Sequence, residues 1–258
     1  MKVTILGCGP SYGMPSLTRG FGPSDPNNPK NVRTRSAILL TDKDLGILFD
    51  TGPEIREQLL RCGEVPQIQA VCYTHLHYDH MGGAEDIRNL AKERQQIMDV
   101  YGTQKDITAL RRQMPYVFDP SHQQTMKLHH IKPYKPFKIK HLEIMPIFQF
   151  HGENNSLGYR IGDFAYCTDV KKFEPEGWKL LKGVKVWVLG CVTLDKNPKH
   201  IHLAEALKWH EKLGVQRTYL THMGSKMDYS TLKRTLPKDI IPCYDGMEID
   251  LDNIKASE

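Results

Sequence analysis

Short apolar runs alternate with polar segments along the whole chain and predict a mixed α/β fold. The predicted strands are 1–6, 36–40, 46–49, 70–73, 97–101, 142–150, 156–161, 164–167, 184–189 and 217–220, with a terminal strand pair around 241–242 and 247–251. The predicted helices are 53–60, 82–94, 103–112, 175–181 and 203–213, with one more short helix before the terminal strands. Because strands and helices alternate in both halves, we expect a four-layer αβ/βα sandwich of two mixed β-sheets flanked by helices, within a single domain over 1–258.

Three polar segments interrupt this alternation. Residues 7–15 (GCGPSYGMP) form a loop that either presents backbone N–H groups and a hydroxyl to an anion or is only a surface loop; Ser11 and Tyr12 are its candidate substrate-binding residues. Residues 113–125 lack clear periodicity and fit either a lid over a site or an ordinary long connection. Residues 127–140 contain lysines interleaved with aromatic side chains. Such a segment could bind RNA, but an exposed edge strand is the favoured interpretation.

Composition narrows the class of protein. The chain has 258 residues, of which 40% are hydrophobic and 25% charged, and no apolar run is long enough to cross a bilayer. The first apolar segment is too short for a signal peptide, so we expect a cytoplasmic protein. The six cysteines include no C-x-x-C pair, which favours reduced, buried thiols over disulfides. A net charge of +5 permits an anionic substrate without demanding nucleic acid.

The densest group of metal-competent side chains follows the predicted strand 70–73. The segment 74–83 reads THLHYDHMGG. If residues 75–77 stay extended, His75 and His77 share a face and could bind one ion together. Asp79 and His80 come after the chain turns and would point a short distance away. The spacing therefore predicts two adjacent metal ions, the alternative being a polar loop that holds histidines by chance.

Metal-competent side chains follow five separate apolar strands. They are Asp50, the cluster 75–80, His151, Asp169 and His222. A single histidine at a strand end is usually structural. Five strand ends that each deliver such a side chain are harder to explain by packing, and they indicate one shared site.

These residues carry a resemblance to a known family. The segment His75-Leu76-His77-Tyr78-Asp79-His80 matches the H-x-H-x-D-H signature of the metallo-β-lactamase fold superfamily. Its other positions are matched by Asp50 in FDTG, His151 in QFHGENNSLGY, Asp169 in YCTD and His222 in YLTHM. The opening GCGPSYGMP, the segment HIHLAEAL and the ending YDGMEI are similar to the branch that includes phosphoribosyl 1,2-cyclic phosphate phosphodiesterases.

Carried over position by position, the resemblance implies two metal sites. The ligands of the first are His75, His77 and His151. The ligands of the second are Asp79, His80 and His222. Asp169 would bridge both ions, and Asp50 would orient a ligand without binding metal itself. Such N/O ligands suit Zn(II), with Mn(II) or Fe(II) as alternatives.

The resemblance also brings a departure. Some of these phosphodiesterases carry a cysteine-rich structural zinc site early in the chain. Here no cysteine lies near Ser24, and the first cysteine after Cys8 is Cys62. We therefore predict no third, structural zinc.

A dinuclear site of this kind favours hydrolysis by a hydroxide shared between the cations, and the resemblance makes a phosphodiester or cyclic phosphate the expected substrate. His200 occupies the position of a proton-donating histidine in the resembling phosphodiesterases, and it is our candidate for protonating the leaving alkoxide. His202 could substitute for it, or either histidine could simply begin a helix. Asp79, besides binding metal, could accept a hydrogen bond from the hydroxide.

Other functions stay open at this point. A nuclease similar to the tRNA 3′-processing enzymes is one, although no long basic Gly-rich insert is evident for an RNA-binding arm. A thioester or lactone hydrolase of the glyoxalase II kind is another, and a non-catalytic metal-binding protein is disfavoured because every expected ligand is present. We expect a small anionic phosphodiester substrate, with nucleic acid not favoured, no membrane partner, and a homodimer by family resemblance.

Overall fold

Apolar strands form two β-sheets, with helices between the strands. The computed structural model describes residues 1–63, 65, 67–119, 121 and 123–253. In chain order the strands are β1 (Lys2–Gly7), β2 (Ala37–Asp42), β3 (Leu45–Phe49), β4 (Ala70–Cys72), β5 (Met98–Gly102), β6 (Met126–His130), β7 (Phe137–Ile139), β8 (Leu142–His151), β9 (Asn154–Ile161), β10 (Phe164–Cys167), β11 (Lys172–Phe173), β12 (Val186–Gly190), β13 (Arg217–Thr221), β14 (Ile240–Pro242) and β15 (Met247–Asp250). The helices are α1 (Ile55–Leu60), α2 (Tyr78–Met81), α3 (Ala84–Glu93), α4 (Gln104–Gln113), α5 (Pro175–Leu181), α6 (Leu203–Leu213) and α7 (Tyr229–Thr235).

Both sheets are mixed. The first has seven strands in the order β15-β1-β2-β3-β4-β5-β6, antiparallel from β15 to β3 and parallel from β3 to β6. The second has eight strands in the order β11-β8-β9-β10-β12-β13-β14, with β7 paired to β8. Its strands are parallel from β10 to β14 and antiparallel from β11 to β10. The expected α/β architecture of two mixed sheets flanked by helices is confirmed.

The central strands β3 and β4 of the first sheet are apolar on both faces because both faces are covered. In β3, Ile47 and Phe49 point into the core between the sheets, where the Phe49 ring centroid lies 5.2 Å from that of Tyr159 on β9. Leu48, between them, belongs to a second core beneath α1 and α3, with Ile55 and Ile87. Full burial of each such side chain contributes about 1.5–3 kcal/mol. This packing holds the strand ends, and the loops after them, in fixed positions.

The partners of the two terminal strands differ from the predicted strand pair. β14 and β15 do not pair with each other: β14 joins β13 in the second sheet, whereas β15 joins β1 in the first. Between them the chain crosses from one sheet to the other, where Cys243 N–H donates to Leu220 O and Gly246 N–H to Ile5 O. Apolar periodicity locates strands but not their partners, and it also missed the short β7 and β11.

The lysine-containing segment begins on an edge. β6 is the last strand of the first sheet, and Lys127 on it is exposed, as the edge-strand interpretation predicts. Of the segment 113–125, residues 115–118 form a 3₁₀ turn, and residues 120 and 122 lie outside the described part of the chain. No helix among the described residues is both long and apolar enough to span a membrane.

The loop after β1 is held against the loop after β13. Arg33, 1% exposed, donates to Met227 O (2.6 Å) and to Asn31 Oδ1 (2.8 Å). Asn31 in turn donates to Asp228 Oδ1 (2.8 Å), and Ser24 Oγ donates to Ser225 O (2.8 Å). Since β13 ends just before His222, these bonds fix one wall of the site described next.

Candidate metal centre

The candidate ligands converge at one end of the two sheets because each follows a strand. Asp50 comes directly after β3, and the cluster 75–80 comes after β4. His151 is the last residue of β8, Asp169 lies two positions past β10, and His222 directly follows β13. The carboxyl ends of neighbouring parallel strands lie at one edge of a sheet, where active groups of α/β folds collect.

Three of these residues have left-handed backbone conformations. The φ angles are +65° at Asp50, +50° at Asp169 and +57° at His222. Residues other than glycine rarely adopt positive φ, and such conformations cluster at functional sites, where the surrounding structure holds them. Each one turns the chain sharply after its strand and aims the side chain into the site. No sequence pattern indicated this conformation.

His75, His77 and His151 form the first group. His75 Nε2 lies 2.8 Å from His77 Nδ1, and the His151 ring centroid is 5.3 Å from that of His75 and 5.4 Å from that of His77. One ring nitrogen from each residue lies within 4.8 Å of the others. His151 Nδ1 lies 3.2 Å from the carbonyl oxygen of Lys199, so its Nε2 is directed into the site. Three imidazoles at this spacing could bind one cation.

Asp79, His80 and His222 form the second group. Asp79 Oδ2 lies 3.2 Å from His80 Nε2 and 3.6 Å from His222 Nε2. The two rings stack with centroids 5.6 Å apart and planes inclined by 9°. Asp79 and His80 lie on α2, the single helical turn that follows His77, and this turn separates the two groups in space.

Asp169 lies between the groups. Its Oδ2 is 3.1 Å from His80 Nε2 and 3.3 Å from His222 Nε2, while its Oδ1 is 3.6 Å from His151 Nε2. Thr168 Oγ1 donates to Oδ2 over 2.7 Å and helps to fix the carboxylate. One carboxylate therefore presents a different oxygen to each group, which is the arrangement needed to bridge two ions.

Asp50 supports His80 from behind. It is fully buried, and its Oδ2 accepts a hydrogen bond from His80 Nδ1 at 2.7 Å. Thr74 completes the contacts by donating from its backbone N–H to Oδ1 (2.8 Å) and from its hydroxyl to Oδ2 (2.9 Å). Because Nδ1 donates in this bond, Nε2 is the nitrogen of His80 that faces the site and would bind a metal once its proton is lost.

Unpartnered buried nitrogens test whether these residues suit a metal. His80 Nε2 and both ring nitrogens of His222 are buried and make no well-aligned hydrogen bond, although carboxylate oxygens lie 3.1–3.6 Å from the two Nε2 atoms. Buried polar atoms normally have partners, so such orphans at the centre of a site need an explanation. A divalent cation would bind lone pairs and carboxylates at once, and imidazole with carboxylate is a set that Zn(II), Mn(II) and Fe(II) accept. The residues present therefore fit divalent metal.

Protonation differs between the groups. Burial lowers the pKa of the His75 ring well below its ordinary value, and burial likewise lowers the pKa of His151. Burial also acts to lower the pKa of His80 and of His222, but the Asp169 carboxylate outweighs it and both pKa values are raised. Burial alone would raise the pKa of Asp169, but the charges of His222 and His80 hold it well below its usual range. A cation entering the second group must therefore displace protons.

His200 lies against both groups, on the loop before α6. Its ring centroid is 4.6 Å from that of His151 and 5.4 Å from that of His222, and its Nδ1 is 3.8 Å from Asp169 Oδ1. Burial, the largest influence, lowers the pKa of His200 to about 3. Asn197 holds this loop, since its Oδ1 accepts from the backbone N–H of His200 at 3.0 Å.

His202, two residues on, is bound elsewhere. Its Nδ1 lies 2.6 Å from Glu205 Oε2, and the same carboxylate accepts from Lys171 Nζ at 3.0 Å. His202 directly precedes the first turn of α6. The structure thus brings His200, and not His202, to the ligand groups.

Ser11 and Tyr12 lie beside the site rather than in it. Tyr12, 47% exposed, lines a cavity of about 560 Å³ together with Arg19 and Arg35. A Cβ added to Gly224, two residues after His222, would lie 3.3 Å from Tyr12 Oη, which places the ring next to that loop. The backbone carbonyl of Ser11 accepts from Arg35 Nε at 3.1 Å. We call this space the Tyr12 cavity.

Comparison with known proteins decides the family. Residues 46–223 match the beta-lactamase superfamily domain, a span that contains every candidate ligand described above. The chain belongs to this superfamily. It is a hydrolase of the metallo-β-lactamase fold.

Three known proteins resemble the chain along nearly its whole length. A diphosphatase of the PhnP family shares 28% identity at a TM-score of 0.88, covering 96% of this chain and 97% of that one. Zn(2+)-bound PqqB from Methylobacterium extorquens shares the fold, at 17% identity and a TM-score of 0.78 over 97% of this chain and 100% of that one. An octanoyltransferase of Porphyromonas gingivalis is 30% identical over 98% of this chain, which spans only 52% of that protein.

The sequence patterns did not predict some of the residues that surround the candidate metal centre. Asn154 Nδ2 lies 3.0 Å from His77 Nε2, and its Oδ1 accepts from Lys105 Nζ at 3.3 Å. Asn154 lies three positions after the candidate ligand His151, and this proximity in sequence could have indicated a place in the site. No motif near Lys105 indicates that it belongs there. Thr74, which binds Asp50, directly precedes the H-x-H-x-D-H segment and was missed because threonine is not a metal ligand.

Proposed function

We propose that this protein hydrolyses phosphodiesters or cyclic phosphates with two divalent cations, Zn(II) or alternatively Mn(II) or Fe(II). The observation that carries the proposal is the position of Asp169, whose two oxygens face the two ligand groups at 3.1 Å (His80) and 3.6 Å (His151). Cations held by these groups would be neighbours. The similarity to a diphosphatase over almost the full length of both chains supports phosphoryl chemistry.

Each candidate residue would have a distinct role in binding the two ions. His75, His77 and His151 would hold one ion. Asp79, His80 and His222 would hold the other. Asp169 would bind both, and Asp50 would keep the His80 ring in its binding orientation. Bound there, the cations supply an activated water near neutral pH and neutralise charge on the phosphoryl oxygens.

Asp79 and His200 would handle protons during the reaction. Burial would raise the pKa of Asp79, but the neighbouring His222 and His80 rings outweigh it and the pKa is lowered. Asp79 is therefore ionised and can accept a hydrogen bond from the attacking water. His200 is neutral in the free protein, but the negative phosphoryl group arriving beside it would raise its pKa and let it donate a proton to the leaving alkoxide.

Hydrolysis of bis(p-nitrophenyl) phosphate tests this proposal. The purified protein is assayed as isolated, after chelation, and after re-addition of Zn(II) or Mn(II). We expect activity that disappears with the chelator and returns with the metal. Protein with two bound metals that cleaves no phosphodiester, cyclic phosphates included, would overturn the proposal.

Acyl hydrolysis is a second candidate. It is favoured by the 30% identity to an octanoyltransferase, although this chain spans about half of that protein. The same metal-loaded preparation is offered an octanoyl thioester. If it cleaves the thioester and leaves phosphodiesters intact, the site serves acyl chemistry instead.

A further inference from the structure

We propose that a second cavity, beside His75 and His77, binds a flat, uncharged group of the substrate with hydrogen-bonding edges, such as a nucleobase. The inference rests on the proposed phosphodiesterase function and adds a substrate subsite to it. The cavity has a volume of about 430 Å³ and lies between α4 and the β8–β9 hairpin. We call it the α4 cavity.

The position of the α4 cavity suits a substituent of the reacting phosphate. Its wall includes His75 and His77, so a ligand in it lies directly beside the first ligand group. Its volume falls within the ~300–1,000 Å³ typical of small-molecule sites. Among the described residues it shares no lining side chain with the Tyr12 cavity. The α4 cavity is therefore a space of its own, and it is the one of the two whose wall includes candidate ligands.

The α4 cavity has an apolar side. Leu76, Ala109, Phe148 and Leu157 line it. The Phe148 ring packs edge to face on Phe150, with centroids 5.1 Å apart and planes inclined by 88°, which holds the ring in place. Aromatic and aliphatic surfaces bind the faces of heterocyclic bases without requiring charge.

The charges that line the α4 cavity argue against a second phosphate there. Among the described residues they are one cation, Lys105, and two carboxylates, Asp106 and Glu153. Lys105 Nζ already donates to Asn154 Oδ1 at 3.3 Å. The Tyr12 cavity, by contrast, has Arg19 and Arg35 among its described lining residues and no carboxylate in that lining, although Arg35 is paired with Glu54 behind it. A second anionic group would bind more favourably there.

Neutral amides supply the hydrogen bonds. Gln113, at the end of α4, and Asn155, on β9, line the α4 cavity with side chains that are both donors and acceptors. A nucleobase edge likewise presents donors and acceptors together. The combination of amides, an apolar wall and no excess positive charge fits an uncharged heterocycle better than a sugar phosphate.

Calorimetric binding of two nucleotide fragments tests the subsite. Uridine 5′-monophosphate and ribose 5-phosphate share the sugar phosphate and differ only in the base. We expect the metal-loaded protein to bind the nucleotide about tenfold more tightly, a difference that one hydrogen-bonded, stacked base readily provides. Gln113→Ala and Phe148→Leu should reduce this preference to about threefold or less while leaving ribose 5-phosphate affinity unchanged.

Arg112→Ala is the matched control. Arg112 is exposed, adjoins Gln113 on α4, and is not part of the cavity lining, so its substitution should leave both affinities unchanged. Equal affinity for the two fragments, or variants that weaken both equally, would overturn the subsite. The base could belong to a free nucleotide or to an RNA end: a short oligouridylate that binds more tightly than the mononucleotide indicates RNA, and equal binding indicates a free nucleotide.

These measurements distinguish a failure of the proposed subsite from a failure of the proposed reaction. If the base preference and its loss in the variants are observed but no phosphodiester is cleaved, the subsite stands and the proposed reaction is wrong. If phosphodiesters are cleaved without any base preference, the reaction stands and the subsite is wrong.

Discussion

The buried carboxylate of Asp50 accepts a hydrogen bond from His80 Nδ1 over 2.7 Å, and neither side chain is exposed. The opposite nitrogen of His80 lies 3.1 Å from Asp169 Oδ2. The His80 ring thus connects a residue outside the ligand groups to the carboxylate between them. We therefore propose that Asp50 controls metal binding through His80, without contacting the metal itself.

Asp50→Asn should weaken metal binding at the second group. Asparagine tolerates the positive φ of this position and preserves the shape, but it removes the charge that makes His80 a better ligand. We expect Zn(II) affinity to fall about 10- to 100-fold, measured by competition with a chromophoric chelator. Asp42→Asn is the control, because Asp42 pairs with His141 at the surface, 2.8 Å apart, far from the ligand groups in sequence and structure. Unchanged affinity in Asp50→Asn would remove Asp50 from the site.

Asp169→Ala should lose metal and activity together. The substitution removes the only carboxylate among the described residues that faces both ligand groups, so neither ion keeps its shared ligand. Elemental analysis after gel filtration would measure the metal content, alongside hydrolysis of bis(p-nitrophenyl) phosphate. Asp163→Ala, which breaks only a surface pair with Lys185, should retain both. A variant at position 169 that kept two metals would contradict the bridging role.

His200→Ala should keep both metals and lose turnover selectively. A general acid contributes about 10²- to 10⁴-fold when the leaving group is a poorly stabilised alkoxide, but little when it is p-nitrophenolate. We therefore expect a large fall in kcat for a cyclic or alkyl phosphodiester and a small one for bis(p-nitrophenyl) phosphate. Loss of metal, or an equal fall on both substrates, would assign His200 a different role.

His202→Ala is the comparison for His200. His202 pairs with Glu205 before α6, so its loss should cost about 1 kcal/mol of the free energy of unfolding and leave turnover intact. Thermal unfolding and steady-state kinetics measure the two effects. A His202 variant with a catalytic defect like that of His200 would mean that the two histidines share the proton transfer.

Metal binding should depend on pH differently at the two groups. Asp169 raises the pKa of His80 and His222 despite burial, so both hold protons to higher pH, and binding at the second group should strengthen as pH rises and be lost as pH falls. Burial lowers the pKa of His75 and His151, which are already neutral, so the first group should change little over the same range. Metal content measured between about pH 6 and about pH 8 should show the second ion leaving first on acidification. Simultaneous loss of both ions would contradict this order.

Local sequence patterns predicted the positions of the strands but not how the strands pair. Periodicity located the strands of both sheets, since alternation and continuous apolar runs depend on local burial alone. It could not show that β14 and β15 belong to different sheets, because strand pairing is set by contacts between distant segments. It also missed the positive φ of Asp50, Asp169 and His222, which the surrounding structure imposes on residues that do not intrinsically favour it.

The sequence by itself determined the α/β class and the identity of the candidate ligands, because strand ends and the H-x-H-x-D-H spacing are local features. The family resemblance already implied two groups with Asp169 between them; only the tertiary structure gave the distances at which Asp169 faces His80, His222 and His151, since these residues come from strands of two different sheets. It also separated His200 from His202, two residues apart in sequence but held by different partners, Asn197 and Glu205. Those two partners lie only three residues away, but the His200 ring also lies against His151 and His222, which strands distant in sequence place beside it, and no local pattern encodes that contact.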